Sequence, residues 1–187
     1  MRQRGLDILG PCERLSERTQ ILQLSPILSD FSPAEADLFG ASMLRVRAQP
    51  GQLLITEGEA DDWMMMLLSG IVDVGKRKIG ADIDAQEAGP ITRLAVIKEG
   101  AVIGEMSMLD GEPRYASCWA LSEVEAAVLS RAAVGRLITT HPSVGAKLLV
   151  KLTQLLAQRL RNTSSQLVRA LQKRDPSTVL GPGPGTA

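Results

Sequence analysis

The middle of this chain, from Leu44 to Leu129, consists of short apolar runs that Gly, Pro and Asp interrupt at close intervals. This pattern is typical of the strands of a small antiparallel barrel or roll. Glycines fall between the runs, where tight turns need a positive φ. We predict a long mobile loop at 78–90 and strands at residues 44–48, 53–56, 63–69, 71–76, 94–97, 102–103, 117–121 and 124–130.

Helical patterns flank the predicted strands. Ser32, Pro33 and Glu35 have the chemistry of a capped helix start, and Leu38 and Phe39 are the expected core anchors of that helix. A loosely held helix at 15–24, a short helix at 131–139 and a long helix at 143–172 complete the pattern. The predicted fold is α+β: an antiparallel, jelly-roll-like β-roll with N-terminal helices and a long C-terminal helix.

The length of 187 residues predicts one substantial core with tails. Residues 1–25 are interpreted as an N-terminal extension, 26–142 as the β-roll and 143–174 as a long dimerisation helix. Pro and Gly dominate 175–187, which is therefore predicted to be a disordered tail.

The net charge of zero hides an asymmetry along the chain. Residues 126–174 carry nine Lys and Arg and no Asp or Glu, whereas residues 1–125 carry an acidic excess. We interpret the basic segment first as a solvated helix face, with phosphate steering or an acidic partner surface as the alternative. Aromatic residues make up 3% of the chain, so stacking of bases on an aromatic platform is not expected as the main activity.

Targeting and redox signals are absent from the sequence. No apolar run approaches the length of a bilayer span, and the N-terminus lacks the apolar region of a secretory signal. Cys12 and Cys118 fit no metal or redox spacing, so they are expected to be reduced thiols. We therefore expect a cytoplasmic protein without a membrane partner.

Met64, Met65 and Met66 are consecutive, and a strand places only alternate side chains on one face. We interpret them as core residues, because methionine commonly fills gaps in cores. His141 is the only histidine and precedes Pro142 at a predicted helix boundary. A single histidine supplies neither a metal site nor a nucleophile, base and orienter, so no metal, no cofactor and no enzymatic activity are predicted.

The segment 104–117 holds the strongest functional signal. Gly104 precedes the carboxylate of Glu105, a turn-rich stretch follows, and Pro113 precedes Arg114 before the next apolar run. Arginine presents a planar fork of donors to phosphate oxygens, and a carboxylate accepts hydrogen bonds from sugar hydroxyls. One phosphate and one ribose would satisfy both side chains; a surface hairpin in which they pair with each other or with solvent is the alternative.

As one string, this segment resembles the phosphate-binding cassette of the cyclic nucleotide-binding domain family. The glycine-punctuated run over residues 50–74 is similar to the β-roll that precedes the cassette, and the likeness covers roughly residues 26–172. It implies that Glu105 binds the ribose 2′-hydroxyl and that Arg114 binds the cyclic phosphate. Gly104, Met106, Ala116 and Leu94 complete the expected site at this end.

Tyr115 departs from the family pattern, which usually has Ala, Ser or Thr after the phosphate-binding arginine. The phenol is expected to crowd the phosphate and so to lower the affinity of the site. The family's cGMP readers often have Thr at this position, so its absence favours cAMP.

The long helix has apolar positions that recur every eleven residues, which keeps one stripe on one face. Residues 159–164, Arg-Leu-x-x-Thr-Ser, resemble a string of the catabolite activator group of the same family. There the Thr and Ser reach the adenine from the two helices of a dimer, which implies base contacts from Thr163 and Ser164. The predicted dimer seam is the stripe at positions 149, 152, 156, 160, 163, 167 and 171.

These observations predict a stand-alone cyclic nucleotide sensor that prefers cAMP, forms a homodimer and signals through its C-terminal helix, with a protein effector as a further partner. A second hypothesis is an interaction module of the same fold that binds cyclic di-GMP or no ligand. A DNA-binding regulator is the third, although no helix-turn-helix pattern follows Asp175 and no specific DNA binding is expected.

Overall fold

The computed structural model describes residues 5–77 and 91–174. The predicted loop at 78–90 and the predicted tail at 175–187 lie outside the described residues. In chain order the elements are β1 (Asp7–Pro11), a 3-10 turn (Leu15–Glu17), α1 (Thr19–Leu24), α2 (Pro33–Ala41), β2 (Leu44–Ala48), β3 (Leu53–Ile55), β4 (Trp63–Ser69), β5 (Val72–Arg77), β6 (Ile91–Ile97), β7 (Val102–Ile103), α3 (Glu105–Asp110), β8 (Ser117–Ala120), β9 (Val124–Ser130), α4 (Arg131–Thr140) and α5 (Pro142–Arg174).

The strands form two antiparallel sheets. One has the order β1-β2-β9-β4-β7 and the other has the order β3-β8-β5-β6. The antiparallel β-roll with flanking helices and a long C-terminal helix is thereby confirmed. The eight predicted strands are all present with closely matching bounds, except that β6 begins three residues earlier than expected, at Ile91.

Strand β4 separates two hydrophobic cores. Met64 and Met66 pack with the helices in one core, and Met65 packs between the sheets in the other. All three side chains are fully buried, as a strand covered on both faces requires. The interpretation of the three methionines as core residues is confirmed.

The N-terminal segment is held more firmly than predicted. Residues 7–11 form the edge strand β1, which pairs with β2 and has an irregularity in its register between Ile8 and Gly10. Gly and Pro inside five residues suppress the usual strand signal, so β1 was not predicted. Leu15 and Ile21 are buried in the helical core, which corrects the expectation of a loosely held helix at 15–24.

Helix α2 begins as its sequence predicts. The Ser32 hydroxyl accepts a hydrogen bond from the Glu35 N–H, and the Glu35 carboxylate accepts one from the Ser32 N–H, closing a capping box. Phe39 is fully buried and packs against Phe31 with ring centroids 5.7 Å apart. The prediction for Leu38 is wrong, because its side chain faces solvent and is 38% exposed.

Helix α5 changes its surroundings along its length. Val144, Leu148 and Leu152 are buried in the helical core, whereas every residue from 160 to 173 is exposed. Leu152 therefore cannot belong to an exposed seam, and that part of the predicted stripe is wrong. Within residues 5–77 and 91–174, no helix has the length and apolarity needed to cross a membrane.

The Glu35 carboxylate also joins α2 to α5, since Lys147 Nζ lies 2.7 Å from each of its oxygens. The hydrogen bond from Lys147, followed by that from the Ser32 N–H, lowers the pKa of Glu35 from its ordinary value of 4.5 to about 2. A carboxyl group with a lowered pKa in the folded state stabilises the fold above its unfolded pKa, and this stability is lost as the pH falls through the folded pKa.

We expect Glu35→Gln to lower the free energy of unfolding at pH 7, with a difference from the unsubstituted protein that shrinks from about pH 5 toward pH 2. Urea unfolding followed by circular dichroism across this range measures it. Glu112→Gln, at an exposed carboxylate outside the capping box, is the control. A Glu35→Gln difference that stays constant between pH 7 and pH 3 would contradict this account.

Candidate functional site

Glu105 is buried at the start of a short helix. Residues 105–110 form α3 between β7 and β8, and Gly104 and Gly111 flank it in the left-handed region with φ of 76° and 84°. The sequence pattern predicts only a turn-rich segment here, because six residues give too little periodicity to identify a helix. Glu105 is the first helical residue, and it is 1% exposed.

The guanidinium of Arg114 is buried and held in one orientation. Its Nη1 donates to the Gly104 carbonyl at 2.7 Å, and its Nη2 donates to the Trp63 carbonyl at 2.5 Å. The group stacks on the Trp63 ring, with Cζ 4.2 Å from the centroid, and Nε lies 3.7 Å from Asp61 Oδ2. Arg114 is 2% exposed, so its orientation is set by the protein and not by solvent.

Backbone hydrogen bonds fix the loop that carries Arg114. The Gly58 N–H donates to the Arg114 carbonyl, and the Arg114 N–H donates to the Glu59 carbonyl, both at 2.9 Å. The Glu57 N–H donates to Ser117 Oγ at 2.9 Å. These bonds clamp residues 114–117 to the turn after β3, which gives the site a rigid frame.

A cavity of about 330 Å³ opens beside these residues. Aliphatic side chains supply much of its wall, whereas Glu105, Arg114 and residues of α5 supply polar groups. A concave, mostly apolar pocket with a few converging polar groups is the usual form of a small-molecule site. The apolar wall consists of Ile55, Val74, Leu94, Ala95, Ile97 and Ile103.

Helix α5 reaches the cavity through Arg159. Its Nη1 donates to Glu105 Oε1 in a close ion pair, and its Nη2 donates to the Val102 carbonyl at 2.6 Å. Arg159 was not among the predicted site residues. The sequence signal that could have identified it is its place at the start of the Arg-Leu-x-x-Thr-Ser string, four residues before Thr163 and hence on the same helix face.

Most of the predicted site residues lie together. Eight of the nine line this cavity, namely Leu94, Gly104, Glu105, Met106, Arg114, Tyr115, Ala116 and Thr163. Ser164 lies on an adjacent face of α5 and is not part of the lining. Asn162 and Gln166, which were not predicted, line the cavity on either side of Thr163. The ligand contacts assigned to all of these residues stay predictions.

Cys118 also lines the cavity, as an unpaired and buried thiol. Burial raises the pKa of the thiol to about 12, which the neighbouring Arg114 opposes only in part. The thiol is therefore protonated at neutral pH and is a poor nucleophile. Among the residues that the structure describes, no three His, Cys, Asp or Glu side chains are grouped so as to hold a metal ion.

Comparison with known proteins links this arrangement to one domain family. A family model described as the cyclic nucleotide-binding domain matches residues 45–141. A solved cyclic nucleotide-binding domain from Methylobacillus flagellatus is 34% identical, with a TM-score of 0.71 over 95% of this chain and 92% of that one. The catabolite activator protein of Thermus thermophilus is 28% identical, with a TM-score of 0.68 over 78% of this chain and 63% of that one.

Curated relatives include regulators of two kinds. A CRP-like cAMP-activated global transcriptional regulator of Mycobacterium tuberculosis is 28% identical over 86% of this chain and 66% of its own length. A cAMP-dependent protein kinase regulatory subunit of Yarrowia lipolytica is 30% identical over 69% of this chain and 32% of its own length. The chain thus spans slightly less than two thirds of one relative and about a third of the other.

The geometry of the site requires glycine at position 104, because a side chain there would collide with its neighbours. A Cβ there would lie 2.6 Å from Arg114 Nη1 and 3.1 Å from Ile55 Cδ1, in addition to the cost of its positive φ. Gly51 has a similar φ of 83°, but a Cβ there would meet no atom within 4 Å. Comparison of alanine variants at the two positions therefore separates the energetic cost of backbone strain from the cost of displacing the Arg114 guanidinium.

We expect Gly51→Ala to lower the free energy of unfolding by roughly 1 kcal/mol from strain alone, and Gly104→Ala to lower it by about 2 kcal/mol or more. Urea unfolding of both variants provides the measurement. Equal losses in the two variants would show that the Arg114 guanidinium accommodates the added methyl group without cost.

Proposed function

Because this chain belongs to the cyclic nucleotide-binding domain family, we propose that it is a cAMP sensor that binds the nucleotide in this cavity and signals through α5. One observation supports this proposal above all: the buried guanidinium of Arg114 and the buried carboxylate of Glu105 line the same cavity, which has an apolar wall. A cyclic nucleotide presents a matching set of groups: an anionic phosphate, a ribose hydroxyl and a flat base.

The phosphate is assigned to Arg114 and the ribose to Glu105. The rigid guanidinium supports the first assignment, since a donor group held in place by the protein loses little entropy when it binds an anion. The ion pair with Arg159 supports the second, because it fixes the buried carboxylate in the wall of the cavity, where a carboxylate oxygen can accept a hydrogen bond from a hydroxyl group. This is a binding role and not a catalytic one.

The base is assigned to the side of the cavity that α5 covers. Thr163, Asn162 and Gln166 line it there and offer both donors and acceptors. A donor and acceptor pair suits the exocyclic amine and ring nitrogen of adenine. The absence of Thr after Arg114 supports a preference for cAMP over cGMP.

The proposed output involves a second copy of the chain. From Leu160 onward α5 carries exposed apolar side chains at Leu160, Leu167 and Leu171, a face that a monomer would leave in water. With Leu152 in the core, the seam we propose consists of Leu149, Thr153, Leu156, Leu160, Ser164, Leu167 and Leu171.

This seam places Ser164 toward a second copy, while Thr163 lines the cavity of its own chain. A nucleotide bound beside the seam would then contact both chains, Thr163 from one and Ser164 from the other. A ligand that contacts both helices differs in affinity between their packing arrangements, and this difference is what shifts a conformational equilibrium.

Removal of either polar anchor should weaken nucleotide binding. We expect Arg114→Ala and Glu105→Gln each to raise the Kd for cAMP at least about tenfold, because hydrogen bonds to charged groups contribute roughly 1.5–3 kcal/mol. Isothermal titration calorimetry with cAMP, cGMP and cyclic di-GMP measures this effect, and cGMP should bind more weakly than cAMP.

Arg93→Ala is the matched control, since Arg93 pairs with Asp73 on the surface and does not line the cavity. Its Kd should equal that of the unsubstituted protein. Unchanged binding in both anchor variants would refute the assigned site, and no binding of any of the three nucleotides would favour a ligand-free interaction module.

The dimer is tested on the exposed part of α5. Leu160 is 68% exposed, so Leu160→Glu should leave the fold of the monomer intact but should break a seam at this position. Burial of one leucine contributes about 1.5–3 kcal/mol, and the charge would lie opposite its own copy. We expect a monomer by sedimentation equilibrium, with weaker binding of cAMP.

Gln154→Glu is the control, because Gln154 is exposed and has no seam residue three or four positions away along α5. It should remain dimeric. A monomeric unsubstituted protein, with or without cAMP, or a Leu160→Glu variant that stays dimeric, would refute the seam.

A further inference from the structure

Tyr115 directly follows Arg114 in the chain and lies at the end of the cavity that is assigned to the phosphate. Tyr115 lines the cavity and is 56% exposed, so its ring lies at the rim of the cavity and not inside it. It is also the only tyrosine of the protein. A bulky ring at this place is a potential obstacle to the proposed ligand, and its orientation therefore matters.

Lys76 holds the ring at the rim through two contacts. The Lys76 ammonium donates to the Tyr115 carbonyl at 2.7 Å and lies 4.1 Å from the centroid of the Tyr115 ring. A cation over an aromatic face is attracted by the negative potential of the ring, and the hydrogen bond fixes the cation on the backbone of the same residue. Together these contacts select one orientation of the ring.

Glu57 anchors the lysine. Lys76 Nζ donates to Glu57 Oε1 at 3.2 Å, and the Arg77 N–H donates to Glu57 Oε2 at 2.9 Å. Burial raises the pKa of Glu57, but the hydrogen bonds from the Arg77 N–H and Lys76 outweigh it and lower the pKa overall. The carboxylate is thus ionised at neutral pH and keeps the ammonium beside Tyr115.

The cavity offers the ring an alternative position. Its aliphatic wall includes Val74, Leu94 and Ile97, and a ring that is more than half exposed would gain buried apolar area by turning against that wall. In that position the ring would occupy space that the proposed phosphate and ribose need. The contacts with Lys76 compete against this movement.

We propose that Lys76, anchored by Glu57, is a positioning residue that holds the Tyr115 ring at the rim and so keeps the phosphate end of the cavity open. This inference rests on the proposed function for its effect on binding. The orientation of the ring in the free protein is a separate, ligand-independent part of it.

The ring orientation is tested first, without ligand. Biosynthetic incorporation of 3-fluorotyrosine labels Tyr115 alone, so the protein gives a ¹⁹F spectrum from one site. We expect Lys76→Met to shift or broaden the signal, and Lys76→Arg, which retains the cation, to stay close to the unsubstituted protein. Lys98→Met, at an exposed lysine after β6, is the control that should change nothing. A Lys76→Met spectrum identical to that of the control would overturn the proposal.

The effect on binding is tested by a double-mutant cycle with cAMP. We expect Lys76→Met to raise the Kd about five- to tenfold, with Lys76→Arg close to the unsubstituted value. Tyr115→Ala should leave the Kd unchanged or lower it, and Lys76→Met combined with Tyr115→Ala should bind like Tyr115→Ala alone. Glu57→Gln should raise the Kd in the same direction as Lys76→Met by a smaller factor.

Two outcomes contradict the positioning role. Unchanged binding by Lys76→Met would show that the ring needs no restraint, and a loss that persists after Tyr115→Ala would show that the lysine acts on the ligand itself. If the unsubstituted protein binds none of the three nucleotides, the proposed function fails, whereas the ¹⁹F result still decides the orientation of the ring.

Discussion

The buried guanidinium of Arg114 is the interaction on which the site depends. It contacts the Gly104 carbonyl before α3 and both the carbonyl and the ring of Trp63 at the start of β4, so two separate segments meet on one side chain. A buried cation is costly unless its surroundings satisfy it, and Asp61 with these carbonyls provides that compensation. The guanidinium also requires glycine at position 104, because the φ there is positive and a Cβ would lie 2.6 Å from Arg114 Nη1.

The second anchor of the cavity connects it to α5. Glu105 and Arg159 pair across the boundary between the roll and the helix, and Arg159 also reaches the backbone of β7. Any change in the contacts of Glu105 therefore changes the free energy of placing α5 against the roll. By thermodynamic linkage, the position of α5 affects a ligand of Glu105 by the same factor.

The elements that could be predicted from the sequence are those that neighbouring residues determine. The capping box of α2 and the eight predicted strands are encoded within a few residues each, and they could be predicted, whereas helix α3 at Glu105–Asp110 is too short to show a helical period. Arg159 lies 54 positions from Glu105, and only the tertiary path of α5 brings the two together.

The predictions that were wrong concern features that contacts between distant parts of the chain determine. The eleven-residue stripe treated Leu152 as equivalent to Leu160, although the first half of α5 is covered by the core and the second half is not. Periodicity identifies a helix face but does not show where along the helix its cover ends. The edge strand β1 gains its structure from pairing with β2, a contact that its own five residues do not reveal.

Strand β4, with its methionines divided between two cores, has a consequence for how the molecule opens. Local fluctuations expose segments that have few buried contacts, and β4 is paired on both edges and covered on both faces. We therefore expect the amide hydrogens of β4 to be among the slowest to exchange in the described part of the chain, and those of residues 160–173, which are all exposed, to exchange faster. One of the two carbonyls that orient Arg114 belongs to Trp63, the first residue of this strand, so the phosphate-binding arginine we propose is anchored to the part of the chain that we expect to open least.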